Sequence, residues 1–300
     1  MAEPQALCRV CGQPAGWTFE GKFGEPVLAL CAKHGAADYP KTQCAGCQMI
    51  VQIDGKVLRG STKPYPYSQL VFCAHCNGAD LKCGACFTPV GFDGTGRFPN
   101  TRSFTADGDS VGYRCAFCST GGLNAIESTV DLTRGAVGWL TDWLRARGDG
   151  LPDVSGRIKY QLSDARTLRG GDSGQTLGLC TKTEAKGQPN QYRVDVLVGM
   201  RPVCFVETLV HELTHVWWFE KGRDRKEYIE GFCNFTALSY LEQFGGAGSA
   251  ERAEAQQRKA MMLEDRSPIY GSNLRAFNLV SKNAPNIVKW FIDSVDAKQN

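Results

Sequence analysis

The spacing of apolar residues divides the chain into a turn-rich front half and a more regular back half. Between residues 8 and 118, short β-like runs alternate with glycine-rich segments. After that, apolar residues recur at helical spacing over Thr133–Arg147, which predicts a helix that packs against a core. Alternating or β-branched runs predict three further strands, over residues 157–162, 177–180 and 192–198.

Helices dominate the prediction after residue 200. The first, from Pro202 to about Phe219, is strongly apolar and is therefore expected to be buried. A second is predicted from about Lys226 to Phe244. A charged, alanine-rich helix over Ala250–Glu264 is expected to face solvent, and a final helical stretch is interrupted near Pro285. The pattern as a whole predicts an α+β protein.

The buried helix carries two of the chain's four histidines, His211 and His215. Because four residues are close to one helical turn, both rings project from one face and can bind the same metal ion. Glu212 follows the first histidine, where it can take a proton from a metal-bound water. This His-Glu-x-x-His pattern predicts the catalytic zinc site of a peptidase.

The next helix offers the third metal ligand. Glu230 is the first choice for this role, and Glu227, one turn earlier on the same face, is the alternative. Asn234 lies four residues after Glu230 and is predicted to orient a histidine ring from outside the ligand set. The strand over Arg193–Gly199 is predicted to hold an extended substrate by β-augmentation.

Fourteen cysteines change the interpretation of the front half. Eleven of them precede residue 119, and five Cys-x-x-Cys pairs in irregular segments are typical of structural zinc rather than of thioredoxin-like redox chemistry. The three later ones, at positions 180, 204 and 233, are predicted to be buried small apolar residues. The alternative for Cys233, which lies one turn from the proposed ligand Glu230, is a redox-sensitive thiol. Taken in order, and with interleaved pairings left open, the predicted zinc ligand sets are Cys8/Cys11/Cys31/His34, Cys44/Cys47/Cys73/Cys76 and Cys83/Cys86/Cys115/Cys118.

Composition argues against several other classes of protein. The chain has no run of 18 apolar residues, so no membrane span is expected. The first residues lack the basic and apolar regions of a secretory signal, so a cytoplasmic protein is expected. The formal net charge of +3 would be cancelled by zinc-bound thiolates. Since no basic helix or aromatic-basic stripe is present, a nucleic-acid partner is not expected.

Several stretches of the back half resemble the DA-one family of plant-type LIM-domain peptidases. The resemblance covers most of residues 175–290. In the front half, residues 8–76 resemble a LIM double zinc finger, with nine residues between the two fingers where a LIM domain has two. The stretches that carry the resemblance in the back half are Val196–Pro202, His211–Trp217, Glu230–Cys233, and Tyr270-Gly271 with Arg275.

This resemblance implies a zincin-type metallopeptidase that cleaves protein substrates and has a link to ubiquitin or a ubiquitin-like protein. It favours Glu230 over Glu227 as the third ligand. It also makes Tyr270 and Arg275 candidate catalytic residues that contact the substrate or stabilise the oxyanion, with Tyr240 as a further candidate for the oxyanion. The expected cofactor is zinc, with one catalytic and three structural ions in each chain.

Four parts are predicted along the chain. Residues 1–79 form a LIM-like double zinc finger, residues 80–122 a third zinc-ribbon module, residues 123–150 a connecting helix, and residues 151–300 the metallopeptidase domain. The expected function is zinc-dependent hydrolysis of peptide bonds, with the zinc modules recruiting substrate, ubiquitin or a regulator. The alternative is a zinc-finger adaptor protein whose peptidase domain is latent or regulated.

Overall fold

The chain folds into two compact units, which combine helices with small sheets as expected of an α+β protein. The first unit contains residues 1–105 and 111–120, and the second contains residues 106–110 and 121–300. The division into four parts stays a prediction. The computed structural model describes residues 6–19, 28–54, 56–58, 70–83, 88–92, 96–99, 101–106, 110–164, 167–168, 176–222, 226–246, 249–284 and 286–296.

Short strands and single helical turns make up the first unit. Each of its short helices begins directly after a cysteine: α1 (Ala32–Gly35), α2 (Ala74–Asn77) and α3 (Ala116–Gly121). The strands form small sheets of two or three members. They are β1 (Trp17–Phe19) with β2 (Leu28–Leu30), β3 (Thr42–Gln43) with β4 (Ile50–Ile53) and β5 (Lys56–Val57), β6 (Leu81–Lys82) with β7 (Pro89–Phe92) and β8 (Gly96–Arg97), and β9 (Thr101–Ala106) with β10 (Ser110–Cys115).

Cysteines form much of the core of the first unit. One buried cluster places Cys44, Cys47, Cys73 and Cys76 among a few apolar side chains such as Phe72. A second cluster places Cys8 beside residues of β2 and β4. Because so little apolar surface is available, cross-links at the cysteines are needed to hold such small modules together.

A mixed three-stranded sheet begins the second unit. Its strands are β11 (Ile158–Ser163), β12 (Gly178–Thr183) and β13 (Gln191–Leu197). The central strand, β13, runs parallel to β11 and antiparallel to β12. The prediction that Arg193–Gly199 forms the substrate-binding edge is therefore wrong, because this strand is paired on both sides. In the described part of the chain, β12 has one neighbour and is an edge of the sheet.

Helices pack around and below this sheet. The central one is α5 (Pro202–Glu220), which contacts the sheet and several other helices and buries Trp217 and Trp218 completely. Among the described residues, no helix is both long and apolar enough to cross a membrane. The helices are α4 (Val130–Arg145), α5 (Pro202–Glu220), α6 (Lys226–Glu242), α7 (Ser249–Glu264), α8 (Asn273–Ser281) and α9 (Ile287–Asp296), with a 3-10 turn over Ile126–Thr129 and a π-helical turn over Pro268–Ser272.

The expectation that α7 faces solvent applies to one side of the helix only, since its other side is buried. Its side chains Glu254 and Arg258 are buried against α5. The Glu254 carboxylate accepts a hydrogen bond from the backbone N–H of Cys204 (3.2 Å) and so caps the first turn of α5. The Arg258 guanidinium donates to Glu207 (2.7 Å). Both side chains are paired with groups on α5, which lie about 50 residues earlier in the chain. This pairing lowers the cost of burying their charges.

We predict that Arg258→Ala lowers the free energy of unfolding by about 3–5 kcal/mol, because it leaves the buried Glu207 carboxylate without its charged partner. Chemical denaturation followed by tryptophan fluorescence measures this change. The control is Lys259→Ala at the next position, whose ion pair with Glu242 is largely exposed, so that a change below about 1 kcal/mol is expected. Equal effects of the two variants would contradict the prediction.

Candidate metal centres

Three of the predicted ligands converge between α5 and α6. The Nε2 atoms of His211 and His215 lie 3.3 Å apart. An Oε2 atom of Glu230 lies 3.2 Å from the first of these and 3.5 Å from the second. Ligand atoms about 2.0–2.1 Å from one tetrahedral zinc ion are separated by roughly 3.4 Å, so the spacing fits a single ion.

Asn234 decides which nitrogen of His211 faces this cluster. Its Oδ1 atom lies 2.9 Å from Nδ1 of His211 and accepts a hydrogen bond from it. Since a neutral imidazole carries one N–H, the Nε2 atom then presents a lone pair to His215 and Glu230. Two lone pairs and a carboxylate oxygen at these distances repel one another unless a cation lies between them. The donor set therefore fits a metal ion.

The negative charges of nearby carboxylates also favour a cation at this centre. Burial by itself would lower the pKa of His211, but hydrogen bonding to Glu230 and the charges of Glu212, Glu230 and Glu207 raise it to about 9. Burial would raise the pKa of Glu230, whereas the two histidines hold it well below its ordinary value. Carboxylates that can keep a proton on an imidazole in this site can equally hold a divalent cation there.

Glu212 is buried beside the cluster. Burial raises its pKa, while the two histidines and the backbone N–H of Cys180 act in the opposite direction. The edge strand β12 passes directly over this carboxylate. A Cβ atom at Gly178 would lie 2.6 Å from Oε1 of Glu212 and 2.7 Å from Cγ2 of Thr208. Only glycine permits this close approach of the strand to the helix.

The sequence analysis did not identify Cys233 as a candidate metal ligand. As predicted, it is fully buried, but its Sγ atom lies within 4.8 Å of ring nitrogens of both His211 and His215. Burial, together with the carboxylates of Glu230 and Glu212, raises the pKa of its thiol well above the ordinary value. Its position three residues after Glu230 was the available signal, because residues at this spacing share a helix face. Cys204 is also buried, as predicted, whereas Cys180 is only partly buried.

The remaining candidates for this centre have different surroundings. The side chain of Glu227 lies outside the described residues. Tyr240 packs its ring against Trp139 and Phe244. Tyr270 is 43% exposed on the π-helical turn. Catalytic roles for these residues stay predictions.

Arg275 holds the segment between α7 and α8 in place. Its guanidinium donates hydrogen bonds to the backbone carbonyl oxygens of Leu263 and Asp265 and to Oγ of Ser272. Close packing at Gly271 adds to this, since a Cβ atom there would lie 1.9 Å from the carbonyl oxygen of Asp265. These contacts give Arg275 a structural task, and its catalytic role stays a prediction.

The first predicted structural site gathers its four ligands in the first unit. Cys8, Cys11, Cys31 and His34 lie within reach of one ion. The Nδ1 atom of His34 is 3.4 Å from Sγ of Cys8 and 3.3 Å from Sγ of Cys31. Its other ring nitrogen lies 3.4 Å from Asp54, which also accepts a hydrogen bond from Tyr39 (2.5 Å). Asp54 thus fixes the ring with Nδ1 towards the thiols.

The second and third predicted sites are more deeply buried. Cys44, Cys47, Cys73 and Cys76 come together with all four side chains buried. Backbone N–H groups of Cys73 and Cys76 donate to Sγ of Cys44 (3.3 Å) and of Cys73 (3.4 Å) respectively, as thiolates require. At the third site, three of the four predicted ligands cluster, while Cys86 lies outside the described residues. The three are Cys83, Cys115 and Cys118.

We predict that complete removal of metal by a strong chelator unfolds the first unit and leaves the helical core of the second unit intact. The cysteine clusters supply most of the core of the first unit, whereas α5 packs on apolar and aromatic side chains. Hydrogen exchange read by mass spectrometry distinguishes the two units. Full protection of residues 28–54 in metal-free protein would contradict the prediction. His211→Ala is the control and should leave that protection unchanged.

We also predict that Asn234→Ala weakens metal binding at the His211 centre by about 10–100-fold, because the ring loses the group that orients it. Competition with a chromophoric chelator measures the affinity. Asn278→Ala, at a half-buried position on α8, is the matched control and should not change it. Equal affinities for Asn234→Ala and the wild-type protein would contradict the assigned orientation of His211.

Comparison with known proteins finds no relative of this chain. No family model matches it, and neither a curated protein nor a solved structure does. The resemblance to the DA-one family therefore stays a prediction, and a function has to be inferred from the residues of the chain itself.

Proposed function

We propose that the second unit is a zinc-dependent endopeptidase that hydrolyses peptide bonds of protein substrates. The observation that supports this most directly is the convergence of His211, His215 and Glu230, with the carboxylate of Glu212 buried beside them. Two imidazoles and one carboxylate are a common ligand set of catalytic zinc, which keeps its fourth position open for water.

In this proposal three residues bind the zinc ion and Glu212 transfers the proton. Zinc held by the three ligands would act as a Lewis acid and lower the pKa of water. Glu212 accepts the proton of the attacking water and passes it to the leaving amine. Burial suits this task, because it raises the pKa of the carboxylate towards the working range of a general base. Asn234 keeps His211 in the ligating orientation.

The substrate would bind along β12. An extended peptide can pair with the edge strand Gly178–Thr183 by β-augmentation. Since Gly178 contacts Glu212, a chain paired to this strand would pass the carboxylate at the distance of a neighbouring strand. The requirement for an extended backbone favours unfolded segments and loops of proteins as substrates.

The zinc modules of the first unit would recruit these substrates. LIM-like double fingers are binding scaffolds, and the resemblance to the DA-one family makes ubiquitin, a ubiquitin-like protein or a regulator the candidate partners. The contacts of His34 with Asp54, which lies in the second finger, support a double finger that acts as one module.

We predict that Glu212→Gln retains four zinc ions per chain but lowers the rate of peptide-bond cleavage by about 10²–10⁴-fold, because only the general base is removed. The metal content is measured by mass spectrometry. Cleavage is measured as new protein termini in an unfolded casein, in a ubiquitin-linked protein and in the chain itself. The control is Glu242→Gln, an exposed carboxylate at the end of α6, which should leave activity unchanged.

Two results would contradict the proposal. Full activity of Glu212→Gln would exclude this carboxylate as the base. A wild-type protein that holds three zinc ions, with a count unchanged by His211→Ala, would instead favour a zinc-finger adaptor protein.

A further inference from the structure

The first turns of α6 present two metal-binding side chains to the same histidine pair. Glu230 and Cys233 are three residues apart and so lie on one face of the helix. The intervening Phe232 points elsewhere and stacks on Phe291 with ring centroids 4.4 Å apart. The face that carries Glu230 and Cys233 therefore faces α5, while the opposite face packs in the aromatic core.

The thiol lies within coordination reach of the His211 centre. Its Sγ atom and one ring nitrogen of each histidine all lie within 4.8 Å of one another. An ion about 2.0 Å from a nitrogen and about 2.3 Å from a thiolate separates these two ligand atoms by roughly 3.5 Å. The 4.8 Å limit exceeds that distance by about 1.3 Å, so Sγ must move towards the ion to coordinate it, and Cys233 is fully buried.

The other buried cysteine of the second unit has a different environment. Cys204, at the start of α5, directs its thiol to the sulfur of Met200 (3.5 Å). Cys204 therefore has the packing role that was expected of all three later cysteines, and Cys233 alone of these is grouped with the two histidines among the described residues.

We propose that Cys233 is a fourth protein ligand, which closes the metal centre in a latent state of the protein. This inference rests on the proposed metal site of His211, His215 and Glu230. On coordination the thiol loses its proton to solvent, and the sulfur occupies the position that catalysis needs for water. Release of the sulfur, which takes up a proton again, opens that position without oxidation or loss of the metal.

Such a ligand set has direct consequences for the protein. Four protein ligands form the closed tetrahedral arrangement of structural zinc sites, whereas three ligands and water form the catalytic one. The same four side chains could thus serve both states. Regulation would then act on the position of the first turns of α6, which carries both Glu230 and Cys233.

The test uses the full-length protein with zinc kept in the cysteine sites and Co²⁺ loaded into the His211 centre. Sulfur bound to Co²⁺ gives an intense near-ultraviolet charge-transfer band that nitrogen and oxygen ligands do not give. We expect this band in the wild-type protein and in Cys204→Ala, and its loss in Cys233→Ala and His211→Ala. We also expect at least about tenfold weaker zinc binding and faster casein cleavage at saturating zinc in Cys233→Ala.

Each other result overturns the inference in a distinguishable way. Co²⁺ bound with the dependence on His211 but without a thiolate band would exclude Cys233 and leave the proposed peptidase site intact. A wild-type protein that binds no Co²⁺ at this centre would overturn both proposals. If Cys233→Ala does not fold, Cys233→Ser provides the same comparison. Without either variant, the difference between the spectra of the wild-type protein and His211→Ala shows whether a thiolate binds Co²⁺ at this centre.

Discussion

The second unit depends on the pairing of polar side chains that α5 carries into an apolar core. This helix buries two carboxylates, and partly buries two imidazoles, between tryptophan and leucine side chains, where an unpaired charge would be costly. Other elements provide the pairing. Arg258 of α7 binds Glu207, the backbone of β12 approaches Glu212, and Glu230 and Asn234 of α6 bind the histidines. The arrangement of helices and sheet around α5 follows from these contacts.

The first unit also groups cysteine and histidine side chains, but there they stabilise the fold. It has too few apolar residues for an ordinary core, and its cysteines occupy the positions that leucine or valine would take in a larger domain. Metal binding at these clusters would supply folding energy, whereas at the His211 centre the surrounding helices hold the candidate ligands together. This contrast explains why one chain can combine structural sites with a site suited to chemistry.

The Glu230–Cys233 face of α6 links the proposed peptidase site to the proposed latent state. A carboxylate and a thiolate three residues apart differ in softness. In the proposed latent state the thiolate would fill the one position that two imidazoles and a carboxylate leave open on zinc. If both proposals hold, one helix supplies a ligand to the catalytic set and a further ligand to the closed set, and the change between them needs small movements rather than refolding.

Short-range patterns in the sequence were sufficient to predict part of this structure. Local geometry determines which atoms meet in the His211–His215 pair and in each Cys-x-x-Cys pair, because the members of a pair lie within about one turn of each other. Glu230 lies on the next helix, and the resemblance to the DA-one family favoured it over Glu227. The tertiary structure alone decided that β12 rather than β13 is an edge of the sheet, that one face of α7 is buried through Glu254 and Arg258, and that the Cys233 thiol lies within 4.8 Å of ring nitrogens of both histidines. These features depend on partners far away along the chain, and neither periodicity nor composition encodes which distant segments come into contact.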